Sequence, residues 1–307
     1  MMQRVLWVSA LWLLCVRISV ATDAGPADAD LLPGETVEAA PQYQVAAGSV
    51  NVTPAPGAFL AGYQRNRLST GHLDNLWLKA LVVSDGDMLL VLLTLDNIGL
   101  TRPDILQIET ALLQKHPNAK LVFSSTHTHA GPDVVGIWGA HWWDSGRDEA
   151  YLQLLVDQAV GLVDQTVQRL TPATSRIASA DLPLDWVKNL SEPELLDPRL
   201  SVLQFVDERE VPLATLVNYA CHPTVLGPDN TLVSADYLSG FYQTMSAAVP
   251  GEHLFLQGAI GGWVQPLQGD RSHELAVSFG AQLADRALAL LIDAAPNPYQ
   301  PLYFAAS

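Results

Sequence analysis

The sequence predicts an α/β domain, a layered structure with a mixed β-sheet and crossover helices. Short apolar runs of strand length alternate with longer segments whose apolar residues recur at helical spacing. Two of the runs, 77–83 and 88–95, flank Ser84-Asp85-Gly86-Asp87, and an Asp-Gly turn between apolar runs predicts an antiparallel hairpin. Other runs are joined through helical segments, as parallel strands are. Both kinds of pairing are therefore expected in one sheet.

Each element is indicated by a local pattern. The first strand is expected at 44–52, ahead of the hairpin. Pro103 suits the first turn of a helix and Pro117 prevents its continuation, so a helix is predicted from Pro103 to about His116. The remaining elements are predicted from apolar periodicity: strands at 120–125, 176–182, 200–206, 212–220 and 253–256, and helices at 148–170, 237–249 and 272–294.

The first 21 residues are typical of a signal peptide rather than of a folded domain. Arg4 precedes an apolar run at 5–16, and Ser19-Val20-Ala21 offers small residues at the positions that a signal peptidase recognises. Residues 22–42 are rich in Ala, Asp, Gly, Pro and Glu and are expected to form a flexible lead-in, which leaves 43–307 for the domain. No other segment is expected to cross a membrane. These features predict a periplasmic or secreted protein.

The mature chain is strongly acidic. Removing the signal takes away Arg4 and Arg17 and no acidic residue, so the formal net charge goes from −16 to −18. Because phosphate binding requires Lys and Arg, this charge argues against nucleic acid as a partner. Cys221 is the one cysteine left after cleavage, which excludes an internal disulfide. It is expected to pack in the core, because its strand neighbour His222 points to the opposite face.

The most informative segment is Thr126-His127-Thr128-His129, which lies between an apolar strand and the turn sequence Ala130-Gly131-Pro132-Asp133. Strand ends carry the chemistry of many α/β enzymes. Residues i and i+2 of a strand share a face, so His127 and His129 are expected to face one pocket. One histidine there would be explained by ordinary hydrogen bonding, but two in an acidic protein indicate metal binding or acid–base catalysis.

A second apolar strand also ends in a histidine, because Ala220-Cys221 leads into His222 and Pro223 ends the strand. Catalytic zinc takes about three protein ligands, and His127 and His222 are candidates for two of them. Asp236 precedes a helix and either caps it or orients a metal-bound histidine. Asp96, at the end of another strand, has the same two possibilities.

Aromatic side chains are concentrated in the long loop at 131–147, directly after the first histidine motif. Trp138, Trp142 and Trp143 lie in this loop together with His141. They either line a substrate pocket or pack against their own domain. The sequence leaves both interpretations open.

Four motifs give the chain a resemblance to a known family. They occur in the order Gly71-His72-Leu73-Asp74, Thr126-His127-Thr128-His129-Ala130-Gly131-Pro132, Asn218-Tyr219-Ala220-Cys221-His222-Pro223-Thr224 and Ser234-Ala235-Asp236-Tyr237. The region from about 46 to about 294 resembles the catalytic N-terminal domain of the neutral/alkaline non-lysosomal ceramidase family. The second motif is highly specific, whereas the first motif by itself is weak.

The resemblance implies an exported, zinc-dependent amidohydrolase that cleaves the N-acyl bond of ceramide to a sphingoid base and a fatty acid. It implies that His127 and His222 bind Zn²⁺ and that His129 is a catalytic neighbour that hydrogen-bonds the reacting oxygen. The family's two other zinc ligands, a Glu and a Tyr, lie further downstream than this sequence extends. Within the chain, Asp96 is the candidate for a further ligand and Asp236 for a further catalytic residue.

Three departures from the family pattern are visible. Gln265 falls where the family has a nucleophile-type Ser, and the Asp that precedes that Ser is absent. Asn189 is followed by Leu190 instead of a substrate-binding Arg. The sequence ends at Ser307, as a truncated product or a shorter branch of the family would.

The departures leave three hypotheses about function. The first is a hydrolase of a small-molecule or lipid amide, with ceramide as the expected substrate and Zn²⁺ as the cofactor. The second is a catalytically impaired lipid- or sugar-binding protein on the same fold. The third is a zinc hydrolase of another amide or of an ester. The sequence indicates no oligomeric state.

Overall fold

The computed structural model describes residues 42–183, 185–267 and 271–305. The predicted signal peptide at 1–21, and the lead-in except Gln42, lie outside the described residues. The strands are β1 Tyr43–Asn51, β2 Gly71–His72, β3 Trp77–Ser84, β4 Leu89–Leu95, β5 Ala119–Ser125, β6 Thr171–Asp181, β7 Val187–Asn189, β8 Arg199–Val206, β9 Pro212–Tyr219, β10 Leu232–Val233, β11 Glu252–Gln257, β12 Val264–Pro266 and β13 Ala295–Asn297. The helices are α1 Arg102–Lys115, α2 Glu149–Val167, α3 Tyr237–Ala248 and α4 His273–Ile292.

Most strands form one mixed sheet in the order β11-β9-β8-β6-β1-β3-β4-β5, with β13 paired to β6. The two outermost pairs, β11 with β9 and β4 with β5, are parallel, and the strands between them run antiparallel. Each parallel pair is connected through a crossover helix, α1 between β4 and β5 and α3 between β9 and β11. The predicted α/β fold with a mixed sheet is confirmed.

The domain has two apolar cores, one between the sheet and the helices and the other, called the inner core, on the opposite face of the sheet. Alternate residues of β3 pack on opposite sides, with Leu81 and Val83 in the inner core and Ala80 and Val82 toward the helices. Helices α1 and α2 contact β5, β1 and β3, whereas α3 and α4 contact β11, β6 and β8. Because a strand such as β3 is buried on both faces, its sequence does not alternate between apolar and polar residues, and Lys79 is its one charged residue.

The long elements lie where the sequence predicts them, but five short strands (β2, β7, β10, β12 and β13) were not predicted. Each has two or three residues, too few for a period, and each is held by a partner far away in the chain. Strand β6 also begins at Thr171, earlier than predicted, because Thr171–Ala173 pairs with β1 before the rest of the strand pairs with β8. Tertiary pairing explains these differences.

Helix α4 is the one helix in the described parts of the chain that is long and apolar enough, by length and composition, to cross a membrane. The sequence prediction named no such segment. One side of α4 is buried in the domain core, where Phe279, Leu283 and Ala287 pack. Gly280 lies so close to the backbone of Tyr237 in α3 that a Cβ atom there would overlap it. Core packing therefore accounts for the apolar residues on this side of the helix.

Candidate metal centre

Three histidines converge at the carboxyl ends of β5 and β9. His127, His129 and His222 each offer a ligand nitrogen, and these atoms all lie within 4.8 Å of one another. The ring centroid of His127 lies 5.1 Å from that of His129 and 4.9 Å from that of His222, and the centroids of His129 and His222 are 5.6 Å apart. No other group of three or more His, Cys, Asp or Glu with this spacing occurs among the described residues. The fold thus joins the two histidine motifs into one site, which a sequence pattern by itself does not establish.

The first motif reaches the site through a turn rather than through strand alternation. Strand β5 ends at Ser125, and His127 has a left-handed backbone conformation with φ = +71°. The backbone N–H of His127 donates to the carbonyl of Asn97 at 2.8 Å, which anchors the turn to the end of β4. His127 and His129 do share one site, but the geometric reason predicted for it was wrong. A strained residue of this kind is often part of a functional site.

Two of the histidines have one ring nitrogen fixed by a backbone carbonyl. His127 Nδ1 lies 2.6 Å from the Ile98 carbonyl oxygen, and His222 Nδ1 lies 2.7 Å from that of Val264. A carbonyl only accepts, so Nδ1 carries the proton and Nε2 presents its lone pair to the site. Histidines that bind metals are usually oriented in this way, by a hydrogen bond from the other ring nitrogen.

His129 differs because neither of its ring nitrogens makes a hydrogen bond of normal geometry with a described residue, although the buried ring lies against the Gly62 backbone, which acts to raise its pKa. Burial, reinforced by the neighbouring His127 and His222, lowers the pKa of His129 to about 3. Burial also lowers the pKa of His222 to about 4 and lowers that of His127. All three imidazoles are therefore neutral at pH 7, which is the protonation state that metal binding requires.

A buried arginine supports the loop that carries His129. Arg67, only 4% exposed, donates hydrogen bonds to the carbonyl oxygens of His129 at 2.5 Å and Ala61 at 2.6 Å. Its guanidinium lies 4.9 Å from the centroid of the Tyr63 ring, which in turn meets the His129 ring edge-on. Next to them, Gly62 has φ = +95°, and a Cβ there would overlap the His129 ring. Arg67 could not be recognised from the sequence, because no local pattern marks it.

One side chain joins the two histidine segments. Gln257, the last residue of β11, donates from Nε2 to the carbonyls of Thr126 and Cys221, both at 2.9 Å. Its Oε1 accepts from the Cys221 N–H at 3.3 Å. Thr126 and Cys221 each directly precede a histidine of the site, so Gln257 fixes the spacing between the two motifs. The sequence feature that could have indicated Gln257 is its position as a polar residue at the end of an apolar strand, directly before Gly258.

Asp236 has the contacts of a helix cap. Its carboxylate accepts hydrogen bonds from the N–H groups of Tyr237, Val225 and Leu226, at 2.8, 3.0 and 2.9 Å. Asp236 thus links the start of α3 to the chain that follows His222. Burial raises its pKa to about 6. Among the described residues it forms no hydrogen bond with an imidazole, so the structure favours the capping interpretation over direct contact with the histidines.

The weakest of the four sequence motifs supports the same region. The carboxylate of Asp74 accepts hydrogen bonds from the Ser234 hydroxyl and, at 2.7 Å, from the Ala235 N–H. Strand β2, which holds the Gly71 and His72 of this motif, pairs in parallel with β10 just ahead of Ser234. The Gly-His-x-Asp motif therefore positions the Ser-Ala-Asp motif.

Asp96 lies at the end of β4 but is not brought into the histidine group. One carboxylate oxygen accepts from the Trp77 N–H at 2.9 Å and the other from the Tyr242 hydroxyl at 3.2 Å. Burial raises the pKa of Asp96 to about 6. Both oxygens are thus occupied by protein donors, and the structure gives no support to Asp96 as a metal ligand. Cys221 is a buried free thiol, as predicted.

The segment around Gln265, where the sequence departs from the family pattern, forms one side of the site. Trp263 stacks on His222 at a centroid distance of 5.6 Å and meets the His129 ring edge-on at 5.6 Å. Its indole N–H donates to Gln265 Oε1 at 2.9 Å. The buried Asn189 side chain lies against Gly262, which has φ = +74°. Asn189 therefore shapes the turn that holds Trp263.

The aromatic loop at 131–147 divides into a packed part and an exposed part. Trp138 packs against the apolar core and donates from its indole N–H to the Tyr63 carbonyl at 2.9 Å. Trp142 and Trp143 are 78% and 64% exposed, and Trp143 stacks on His141. Packing against the domain is thus the right interpretation for Trp138, whereas the other two side chains face solvent.

Comparison with known proteins places this fold and site in context. No protein-family model matches the sequence. The curated neutral ceramidase of Pseudomonas aeruginosa is 24% identical over 248 residues, which cover 74% of this chain and 35% of the relative. The crystal structure of neutral ceramidase from Pseudomonas aeruginosa has a TM-score of 0.72 at 20% identity, and covers 82% of this chain and 45% of that one.

A second solved structure, of a ceramidase complexed with C2, has a TM-score of 0.71 at 21% identity, and covers 82% of this chain and 44% of that chain. This chain therefore spans about a third of the length of the curated relative and less than half of either solved chain. The resemblance predicted from the motifs is confirmed: the chain is similar in sequence to a neutral ceramidase and shares the ceramidase fold.

Proposed function

We propose that this chain is an exported, zinc-dependent hydrolase of the neutral ceramidase type, which cleaves an N-acyl amide to an amine and a fatty acid. Ceramide, split to a sphingoid base and a fatty acid, is the proposed substrate. The observation that carries the proposal is the convergence of three neutral histidines whose ligand nitrogens lie within 4.8 Å of one another. The similarity to neutral ceramidase supports the substrate class.

The hydrogen bonds of the three rings suggest a division of roles. His127 and His222, each oriented by a backbone carbonyl, would hold the metal through Nε2. His129, which has no orienting partner among the described residues, is free to hydrogen-bond the reacting oxygen. Bound Zn²⁺ supplies a Lewis acid that polarises an amide carbonyl and acidifies water. The neutral imidazole of His129 can donate an N–H hydrogen bond to the reacting oxygen as negative charge develops on it.

The proposed division of roles is tested by metal analysis and by fatty acid release from an N-acyl substrate. We expect stoichiometric zinc in the wild-type protein, and at least tenfold weaker zinc binding in His127→Ala and His222→Ala, because each loses one ligand. His129→Ala should keep its zinc but lose about 100-fold or more in kcat, because it lacks the hydrogen-bond donor to the reacting oxygen. A metal-free protein with full activity would refute the proposal.

A catalytically impaired binding protein is the second candidate, and one observation favours it. Gln265 lies where the family has a nucleophile-type Ser, and its side-chain oxygen is occupied by the Trp263 indole. This candidate predicts ligand binding without turnover. Turnover that stops on chelation and returns on addition of zinc would exclude it. A zinc hydrolase of another amide or of an ester is distinguished by the substrate that is turned over.

A further inference from the structure

The segment 263–265, which includes the departure from the family pattern at Gln265, lies beside the histidines. Its residues are connected to each other and to the site by hydrogen bonds. The Trp263 ring is nearly parallel to the His222 ring, at an interplanar angle of 11°, and inclined by 73° to the His129 ring. Trp263 is 38% exposed, whereas His222 and His129 are buried. The indole therefore stands between solvent and two of the three imidazoles.

The backbone that carries the indole is held in an unusual conformation. Gly262 and Trp263 both have positive φ, +74° and +70°. Their carbonyls accept hydrogen bonds from the N–H groups of Ser191 at 3.0 Å and Leu190 at 3.3 Å. A non-glycine residue in the left-handed region is strained and persists only where its surroundings enforce it. The hydrogen bonds from Ser191 and Leu190 therefore hold the backbone in this strained conformation, with the Trp263 side chain over the site.

Gln265 fixes the orientation of the ring as well as its place. It accepts the indole N–H at 2.9 Å, and it lies in β12 next to Val264, whose carbonyl orients His222. A flat, rigid side chain with both ends held presents a fixed surface to a ligand that approaches the histidine nitrogens. Because Trp is the largest side chain, it also removes the space in which a bulky group would lie.

We propose that the indole of Trp263, held by Gln265, is the substrate-facing wall of the three-histidine site and selects compact acyl groups over bulky ones. Within the proposed substrate class, ceramides with a short N-acyl chain are therefore favoured over those with a long one. An acyl group whose carbonyl reaches His129 or His222 would meet the indole, because the Trp263 ring packs against both imidazoles. The proposal rests on the proposed function for the nature of the substrate. It gives Gln265 a role in specificity in place of the nucleophile that the family pattern led one to expect.

The test measures binding of two hydroxamates, acetohydroxamate and octanohydroxamate, to the zinc-loaded protein by calorimetry. We expect Trp263→Ala to improve the Kd of the long probe relative to the short one by at least about tenfold, because a few buried methylenes are worth that much in a pocket. Gln265→Ala should give a smaller change in the same direction, because the Trp263 indole is still present in this variant but has lost its hydrogen-bond acceptor. Trp142→Ala, which removes an exposed indole that packs edge-on against Trp143, is the matched control.

An unchanged ratio in Trp263→Ala, with zinc content intact, would overturn the proposal. A second readout does not need the metal: diethylpyrocarbonate modification of His129 and His222, mapped by peptide mass spectrometry, should be several-fold faster in Trp263→Ala than in the wild type or Trp263→Phe. Equal rates would also overturn the proposal. If neither zinc binding nor turnover is found but the modification rates differ, the proposed function is wrong, whereas the role of Trp263 as a wall of the site is supported.

Discussion

At the scale of single residues, the site depends on a few side chains that form hydrogen bonds to the backbone of the histidine segments and do not belong to the histidine group itself. The Gln257 side chain connects the residues before His127 and His222 through three hydrogen bonds. Arg67 holds the carbonyl of His129, and Asp236 holds the chain after His222. Buried polar groups are stable only when they are paired, so each of these residues is tied to its partners. Their effect on the histidines is a matter of position.

We expect Gln257→Leu to weaken zinc binding by about 10- to 100-fold, the range found when groups that orient metal ligands are removed. The reason is that the carbonyls of Thr126 and Cys221 lose a common donor, so the spacing of the two histidine segments is no longer fixed. Competition with a chelator measures the affinity.

Gln204→Leu is the matched control for this change, because Gln204 is also an amide in a strand of the sheet, but among the described residues its side chain bonds only to the hydroxyl of Thr215. It should lower the stability of the protein without changing the zinc affinity. Equal zinc affinities for Gln257→Leu and the wild type would show that Gln257 does not position the site.

At the scale of elements, helices α3 and α4 approach each other through glycines. A Cβ on Gly240 would overlap the backbone of Val277, and a Cβ on Gly280 would overlap that of Tyr237. This close contact brings α3 against the sheet with its N-terminus at Asp236, beside the chain that leads away from His222. The glycines therefore affect the site through the placement of a helix.

Gly280→Ala should destabilise the protein by about 1–3 kcal/mol, the usual cost of overpacking, because the new methyl group meets backbone that cannot move aside. Gly161→Ala in α2 is the control, since nothing lies within 4 Å of the Cβ position there. It should stabilise the protein by about 0.4–1 kcal/mol, because alanine favours the helix. Urea denaturation gives both values. If both variants change stability in the same direction, the packing argument is wrong.

At the scale of the whole molecule, one ion pair crosses the inner core of the sheet. Lys79 in β3 lies 2.5 Å from the Glu252 carboxylate in β11, which also accepts a hydrogen bond from Ser49 in β1 at 2.9 Å. The Lys79 ammonium lies 4.3 Å from the centroid of the Tyr242 ring. These contacts join strands from opposite halves of the sheet order, and Tyr242 continues them to Asp96 beneath the first histidine motif.

Lys79→Met should destabilise the protein by about 3 kcal/mol, because it leaves the Glu252 carboxylate poorly solvated and without its cation. The double variant Lys79→Met/Glu252→Leu should recover most of this loss, since an apolar pair of similar volume replaces a buried ion pair at little cost. Thermal denaturation of the two variants and the wild type measures the difference. If the double variant is less stable than Lys79→Met, the ion pair is not the source of the effect.

Much of the fold could be predicted from the sequence, because its long elements are specified by local patterns. The apolar run of β3, the Asp-Gly turn after it and the prolines that flank α1 each act within a few residues. The placement of His127 and His222 at strand ends was predicted for the same reason. The two-residue strands β2 and β10 could not be predicted, because each exists only through its pairing with the other.

The sequence by itself determined the α/β class, the two histidine motifs and the resemblance to the neutral ceramidases. Only the tertiary structure decided that His127, His129 and His222 meet, that Asp96 lies outside their group, and that Asp236 caps a helix. It also decided that Trp263 covers the site and that Gln257 spaces it. The physical reason is that strand and turn preferences are local, whereas a site is a set of distances between residues that are far apart in the chain and are fixed only when the sheet is assembled.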